Sequence, residues 1–272
     1  MKRGVAAAKI NLALVVGPPR EDGKHDVTTV YQRVALADRV ALRPSPALRV
    51  TGFDGDTLVR DALAGLARAV GAEPRWAAQI QKRVPVAAGL GGGSSDAATA
   101  LRLANESLDE PLPAAELERL ARSLGADVPY FLRNGPQLGS GDGGELAPLD
   151  LPQDYWILIV LPRAAAKRST ADVYARFDER GPSVDFERRR AALQDALEAV
   201  GRPRDLAALP PNDLASSPLA DELRALGAFR ADVTGAGPAV YGLFLHRRAA
   251  TEAESGIARN GRTWLTAPAW YV

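Results

Sequence analysis

Residues 84–105 read VPVAAGLGGGSSDAATALRLAN and place four glycines, Gly89, Gly91, Gly92 and Gly93, in five positions. Glycine loses more backbone freedom on folding than any other residue and adds no side chain to a core. A run this dense implies that something must approach bare backbone. The stretch AAQIQKRVPV (77–86) leads into it and alternates apolar with polar residues, the pattern of a half-buried strand. The stretch after it sets Ala97, Leu101, Ala104 and Leu108 on one helical face. A strand, a bare loop and a helix opening at Ser94-Ser95-Asp96 suit an anion. The first helical turn has unpaired N–H groups and a partial positive charge, and glycines let a phosphate reach them. The spacing is not a Walker A loop, since no Gly-Lys-Ser/Thr follows, nor a dinucleotide fingerprint, since Ser94 stands where the third glycine belongs. A flexible loop with a serine N-cap is the plain alternative. Long glycine runs are uncommon inside compact domains, which favours phosphate binding.

The rest of the chain alternates irregularly. A Val/Ile/Leu-rich run at 5–16 reads as a buried strand, 17–26 as a loop, and 27–42 as strand-turn-strand around Ala37-Asp38. Helices are expected at 57–72, where Leu58, Ala62, Leu66 and Ala69 form a stripe, and at 113–125, which stops at Gly125. The passage 143–154 is turn-rich, and a new strand begins with YWILIVLP. Helices follow at 169–180, 186–201 and 212–228, then strand, glycine turn and strand over 230–246, and a last strand in RTWLTAPAWYV. There is no strict βαβ rhythm, so the expectation is an α+β fold with mixed and antiparallel sheets in two domains around a cleft. The boundary falls near 152, giving units 1–152 and 153–272, with the last strand free to pack back on the first. The 272 residues suffice for this.

Charge and composition narrow the function. Lys plus Arg total 34 against 33 Asp plus Glu, a formal net of +1, which argues against a nucleic-acid or anionic-membrane surface. With no cysteine there is no disulfide or thiolate metal site, which fits a reducing cytoplasm. Lys9 and Asn11 interrupt the N-terminal apolar stretch where a secretory segment would be apolar. The run WILIVL (156–161) is too short to span a bilayer. The expectation is a cytoplasmic protein without nucleic-acid or membrane partners.

With these residues in view, GLGGGSSDAATAL (89–101) resembles the second motif of the GHMP kinases. AAAKINLAL (6–14) with DGKHDVTTVYQRVALAD (22–38) resembles the first motif of the branch acting on a cytidine-diphospho sugar alcohol. LGADVPYFLRNG (124–135), PNDL (211–214) and VTGAGPAVYGLF (233–244) follow in the family's order. The resemblance implies a two-domain GHMP fold and transfer of the γ-phosphoryl of ATP to an alcohol. By position, Asp127 takes the hydroxyl proton and Lys9 polarises the site. Pro85 and the run Ala88, Gly89, Leu90, Gly91, Gly92, Gly93, Ser94 and Ser95 hold the nucleotide, with Lys82 near adenine. Asn11 leaves the strand on the same face as Lys9. His25 reads the cytosine edge, Tyr174 and Tyr31 line the pocket, and Gly235 and Gly237 face it across the cleft. Lys24 departs from the family, which commonly has a base-stacking tyrosine there. Mg²⁺ is expected with ATP, without a dedicated protein ligand. The residues alone leave other readings open: Asp127 as the cap of a helical turn before Val128-Pro129, the TGAGPA turn as a plain hairpin, and Lys82 as an exposed strand lysine. A GHMP kinase for another small alcohol and a non-catalytic nucleotide sensor are the alternative functions. The expected state is a monomer or homodimer.

Overall fold

The computed structural model describes residues 1–55, 57–163, 169–181 and 185–269. Two long strands organise it, β1 (Lys2–Pro19) and β2 (His25–Pro44), paired antiparallel from Lys2↔Leu42 to Pro19↔His25. The sequence reading placed a turn at Ala37-Asp38, but β2 runs straight through. Asp38 is fully buried, and its carboxylate accepts hydrogen bonds from Lys82 and from the Arg83 and Val84 amides, so a charged residue is absorbed within the strand. The irregularity falls in the β1–β2 register instead, which shifts between Ala7 and Lys9.

The other edge of β2 is shared by two partners. Residues 39–44 pair with β4 (Trp76–Gln81), and 29–31 with β5 (Gln137–Ser140), which continues to β6 (Glu145–Pro148). A three-residue strand, β3 (Arg49–Thr51), joins β4 in parallel and makes the sheet mixed. Strands β5 and β6 arise in or beside a passage read as turn-rich, because short glycine-bearing strands carry little alternation. Helices α1 (Leu58–Ala69), α2 (Gly92–Asn105) and α3 (Ala114–Leu124) belong to this half. Leu63, Leu66 and Leu101 share its core with Val40, Leu42 and Ile80 of the sheet.

The second sheet has the order β10-β7-β9-β8, all antiparallel. It comprises β7 (Trp156–Pro162), β8 (Arg230–Val233), β9 (Val240–Phe244) and β10 (Gly261–Thr266). After β10, Ala267 accepts from the Ala35 amide and Ala269 donates to Arg33, so the chain returns to β2; residues 270–272 of the expected last strand lie outside the described residues. Helices α4 (Thr170–Glu179), α5 (Phe186–Glu198), α6 (Pro218–Ala225) and α7 (Arg247–Ile257) complete this half. Helix α7 lies outside the sequence expectations. It and α6 pack Ala250, Ile257 and Leu223 on Leu158, Val160 and Phe244. Side chains of the same strands enter a second core, where Ile157, Ile159 and Leu243 meet Ile10 and Leu12 of β1. Because β1 is buried on both faces, its sequence reads as a continuous apolar run. Only Lys9 and Asn11 break it, and both are buried.

The helix expected over 212–228 is confined to 218–225. Asn212 Oδ1 accepts from the Leu214 amide, and its Nδ2 donates to the carbonyls of Val233 (3.0 Å) and Gly235 (2.7 Å). Arg230 holds the preceding turn by donating to the carbonyls of Leu206, Leu209 and Pro210. Asn212 thus positions the 234–239 turn through hydrogen bonds that compete with helix formation. Among the described residues no helix is long and apolar enough to cross a membrane. Replacing Asn212 with Ala strips these bonds from buried backbone and should destabilise the protein by roughly 2–4 kcal/mol. The expected signature is a lower urea midpoint with an unchanged slope.

Candidate active site

Lys9 and Asn11 project from the same face of β1 into a cavity of about 410 Å³ also lined by Tyr31, Gly89, Gly91, Ser94, Asp127, Tyr174, Gly235 and Gly237. Lys9 Nζ donates to Asn11 Oδ1 at 2.7 Å and lies 3.6 Å from Asp127 Oδ2. Asn11 is fixed at both ends: its Nδ2 donates to Thr29 Oγ1 at 2.8 Å, and its backbone N–H to Thr234 Oγ1 at 3.1 Å. Tyr31 stands opposite Asn11 across the β1–β2 ladder and donates its hydroxyl to Asp127 Oδ1 at 3.1 Å. Burial first, and then the Asp127 charge, push the Tyr31 phenol well above its ordinary range, so it remains a neutral donor. The Lys9 side chain is only 5% exposed while that of Asp127 is 34% exposed. The carboxylate is the member of the pair that opens to the cavity. Asp127 lies before the short 3₁₀ turn Pro129–Leu132, whose N-cap is Val128, so it is not the cap of that turn.

The glycine loop meets the helix as its composition requires. Gly91 is left-handed (φ 66°) and serves as the N-cap of α2, without a side-chain cap. The first helical bond runs from the Ser95 amide to the Gly91 carbonyl, so the amides of Gly92, Gly93 and Ser94 precede the ladder. Gly89 is also left-handed (φ 82°), and a Cβ there would sit 2.2 Å from the Thr234 carbonyl oxygen. A Cβ on Gly237 would sit 2.3 Å from the Ala88 oxygen. The two glycine turns, 148 positions apart as Gly89 and Gly237, touch backbone to backbone. Gly235 adjoins the polar cluster, where a Cβ would come within 3.4 Å of Lys9 Nζ.

The remaining expected residues are arranged around this centre. His25 is buried, with its ring 4.8 Å from that of Tyr174 and its Nε2 2.8 Å from Asp178 Oδ1. A carboxylate accepts, so the histidine donates there. Burial first and Asp127 second push the Tyr174 phenol up to about 12. Both Tyr174 and Asp178 ride on α4, which opens with a reciprocal cap between Ser169 and Asp172. Lys24 pairs with Asp142 at 2.7 Å at the cavity wall. Burial alone would raise the Asp142 carboxyl, but Lys24 and the Gly144 amide hold it below the usual carboxylate range. Ala88, Leu90 and Ser95 are buried under the loop, and Pro85 is half-buried outside the lining. Lys82 is held between Asp38 and Asp96. Sequence reasoning did not single out Thr29, Thr234, Asp142, Asp178, Asp38 or Asp96. Asp38 carried the same signal as Lys9, a charge inside an apolar strand.

Residues 57–135 match the family described as GHMP kinases N terminal domain, and residues 189–263 match GHMP kinases C terminal. The chain belongs to the GHMP kinase family, whose members are ATP-dependent kinases. Among its relatives, it is 39% identical to the 4-diphosphocytidyl-2-C-methyl-D-erythritol kinase of Nocardia farcinica, over 95% of this chain and 91% of that protein. It is 36% identical to the kinase of the same name from Geobacter sulfurreducens, over 96% of each. The crystal structure of a 4-(cytidine 5'-diphospho)-2C-methyl-D-erythritol kinase superposes with a TM-score of 0.80 at 31% identity, covering 98% of this chain and 99% of that one. The expected α+β fold is therefore the observed one.

Since the glycine turns meet without room for a side chain, Gly237→Ala should force them apart. The expected cost is roughly 1–3 kcal/mol, as for overpacking, read as a lower melting temperature together with a fall in phosphoryl-transfer rate.

Proposed function

We propose that this protein transfers the γ-phosphoryl group of ATP to the 2-hydroxyl of 4-diphosphocytidyl-2-C-methyl-D-erythritol, a cytoplasmic step of the non-mevalonate route to isoprenoid precursors. The observation that carries the reading is that the Lys9–Asp127–Tyr31 cluster and the glycine loop open onto one cavity. Such a site needs to bind phosphates and to activate an alcohol, because positioning and charge neutralisation supply most of the catalysis in phosphoryl transfer.

In this reading the chain's two units, 1–152 and 153–272, face each other across the cavity. The triphosphate lies against the amides at the start of α2, with Pro85 and residues 88–95 shaping the loop. Asp127 accepts the hydroxyl proton of the substrate while the oxygen bonds the γ-phosphorus. The bond from that phosphorus to the β-bridging oxygen breaks, and ADP leaves. Lys9, paired with Asp127, offsets charge developing on the alcohol oxygen. Tyr31 occupies Oδ1 and so directs Oδ2 at the substrate. Asn11 holds Lys9 in place and, with Gly235 and Gly237, borders the substrate's hydroxyl groups. His25, fixed by Asp178, and Tyr174 receive the cytosine, with Lys24 at the rim.

Mg²⁺ accompanies ATP in this reading. Among the described residues no group of three or more His, Cys, Asp or Glu is arranged to hold a metal. An ion carried by phosphates and water needs only one or two protein oxygens, and Ser94 lines the cavity with a hydroxyl that could supply one. The ion would neutralise phosphate charge.

A coupled ADP-release assay comparing the cytidine substrate with homoserine and mevalonate tests the assignment. Turnover confined to the first is expected. Preference for another alcohol, or ATP binding without turnover of any of the three, would overturn it. Asp127→Asn should lower kcat by about 10²–10⁴-fold, the usual worth of a general base, with the ATP KM little changed. Tyr31→Phe removes one hydrogen bond from the base and should lower kcat roughly tenfold, again leaving the ATP KM near that of the wild type.

A further inference from the structure

Directly behind the glycine loop lies a buried group of charges that the proposed reaction does not use. Lys82 Nζ is 2.6 Å from Asp38 Oδ2 and 2.8 Å from Asp96 Oδ2, and both carboxylates are fully buried. Asp38 Oδ1 accepts from the backbone N–H groups of Arg83 (2.5 Å) and Val84 (2.8 Å). The group joins three pieces of chain: Asp38 from β2, residues 82–84 after β4, and Asp96 from the second turn of α2. Its contact with the loop is close. A Cβ on Gly92 would meet Val84 at 3.0 Å and Lys82 Nζ at 3.4 Å. The ammonium also lies 5.7 Å from the centroid of the Phe53 ring.

We propose that Lys82, Asp38 and Asp96 form an ionic clamp that positions the nucleotide loop, with Lys82 a positioning residue rather than a contact to ATP. The proposal rests on the reading that the amides at the start of α2 receive the triphosphate. Two of the ammonium's three donors are committed to carboxylates, and an ammonium shared by two buried carboxylates has little to offer a phosphate in addition. Burial works against the Lys82 charge, but the hydrogen bonds from Asp38 and Asp96 outweigh it and hold the proton more tightly than in an ordinary lysine. The lysine is therefore a permanent cation in the group.

Its role follows from the sum of charges. With Lys82 present, two carboxylates and one ammonium leave a single negative charge behind the helix N-terminus. Without it, the sum behind the amides proposed to attract a triphosphate would be one unit more negative. The carboxylates would oppose the helix-end field and also lose their shared partner. Asp38 would still hold the Arg83 and Val84 amides, but the ion pair that ties Asp96, and with it α2, to residue 82 would be gone. Arginine at position 82 would keep the charge but not the compact geometry.

The test is direct ATP binding, measured by calorimetry with a non-hydrolysable ATP analogue on the full chain, beside melting temperature and kcat. Lys82→Met should weaken binding on the order of tenfold, about the effect of one added charge ~10 Å from a phosphate at an effective dielectric of ~20, while saturating kcat falls much less. Adding Asp96→Asn should bring binding back to within about threefold of the wild type, since the sum of charges is restored. A double variant as weak as the single one would show that Lys82 touches the nucleotide and would overturn the proposal. So would a single variant that melts earlier yet binds normally, because the clamp would then be structural only. If Lys82→Met alone does not fold, the double variant decides: folded and binding supports the clamp, and unfolded overturns it. Normal ATP binding without turnover of the cytidine substrate would sink the substrate assignment and leave the clamp standing.

Discussion

Two glycine turns from opposite halves of the molecule meet with no space for a Cβ at Gly89 or Gly237. That contact sets the distance between everything on either side. Around it, Ala239 donates its amide to the Ala88 carbonyl, and Thr234 Oγ1 bonds both the Asn11 amide and the Gly89 carbonyl. Each of these bonds ties the loop before α2 or strand β1 to the turn between β8 and β9. The polar cluster on β1 is thus registered against both turns at once. A side chain at either glycine would separate the loop from the turn, and Lys9 and Asn11 would lose the wall that encloses them. The density of glycine there serves approach by the protein's own backbone and, in the proposed function, approach by phosphate.

The bare loop ahead of α2 was legible because glycine is costly in a core, and a helix following at once leaves unpaired amides. Lys9 was legible because a charge inside an apolar strand needs a partner, and Asp127 supplies it at 3.6 Å. Less legible was whatever depends on long-range pairing. Ala37-Asp38 looked like a turn because Asp disfavours strands, but Lys82 and two backbone amides satisfy its carboxylate there. The 212–228 segment looked helical throughout because nothing local shows that Asn212 bonds to residues more than twenty positions away. Lys82, placed near adenine by resemblance, is found between two carboxylates that no local pattern links to it. Tyr31 was assigned to the substrate and bonds the Asp127 carboxylate.

Buried charges recur at the points where the cavity is fixed. Arg33 donates to the carbonyls of Tyr130, Phe131 and Arg133 and so braces the turn that follows Asp127. Arg230 braces the turn before Asn212 in the same way. Burying a guanidinium is expensive, and burial lowers the Arg33 pKa from its ordinary value. Apolar residues of similar size would fill the same space, but they could not satisfy several diverging carbonyls. Irregular backbone beside a cavity needs donors from somewhere, and here single guanidinium side chains supply them, Arg33 from Nη2 and Arg230 from Nη1 and Nη2. The charges in these strands therefore hold loops in place where a regular ladder cannot.

The two members of the Lys9–Asp127 pair differ in exposure. A lysine can in principle serve as a base, but Lys9 is 5% exposed, with its ammonium against Asn11 Oδ1 and Asp127. Losing its proton would leave Asp127 without its neutralising partner and would break a bond between two buried groups. Asp127 has one oxygen occupied by Tyr31, and its side chain is 34% exposed toward the cavity. A proton taken up there in the proposed reaction has a path to solvent once product leaves. In the proposed reaction this asymmetry favours Asp127 as the proton acceptor, with Lys9 as its fixed partner.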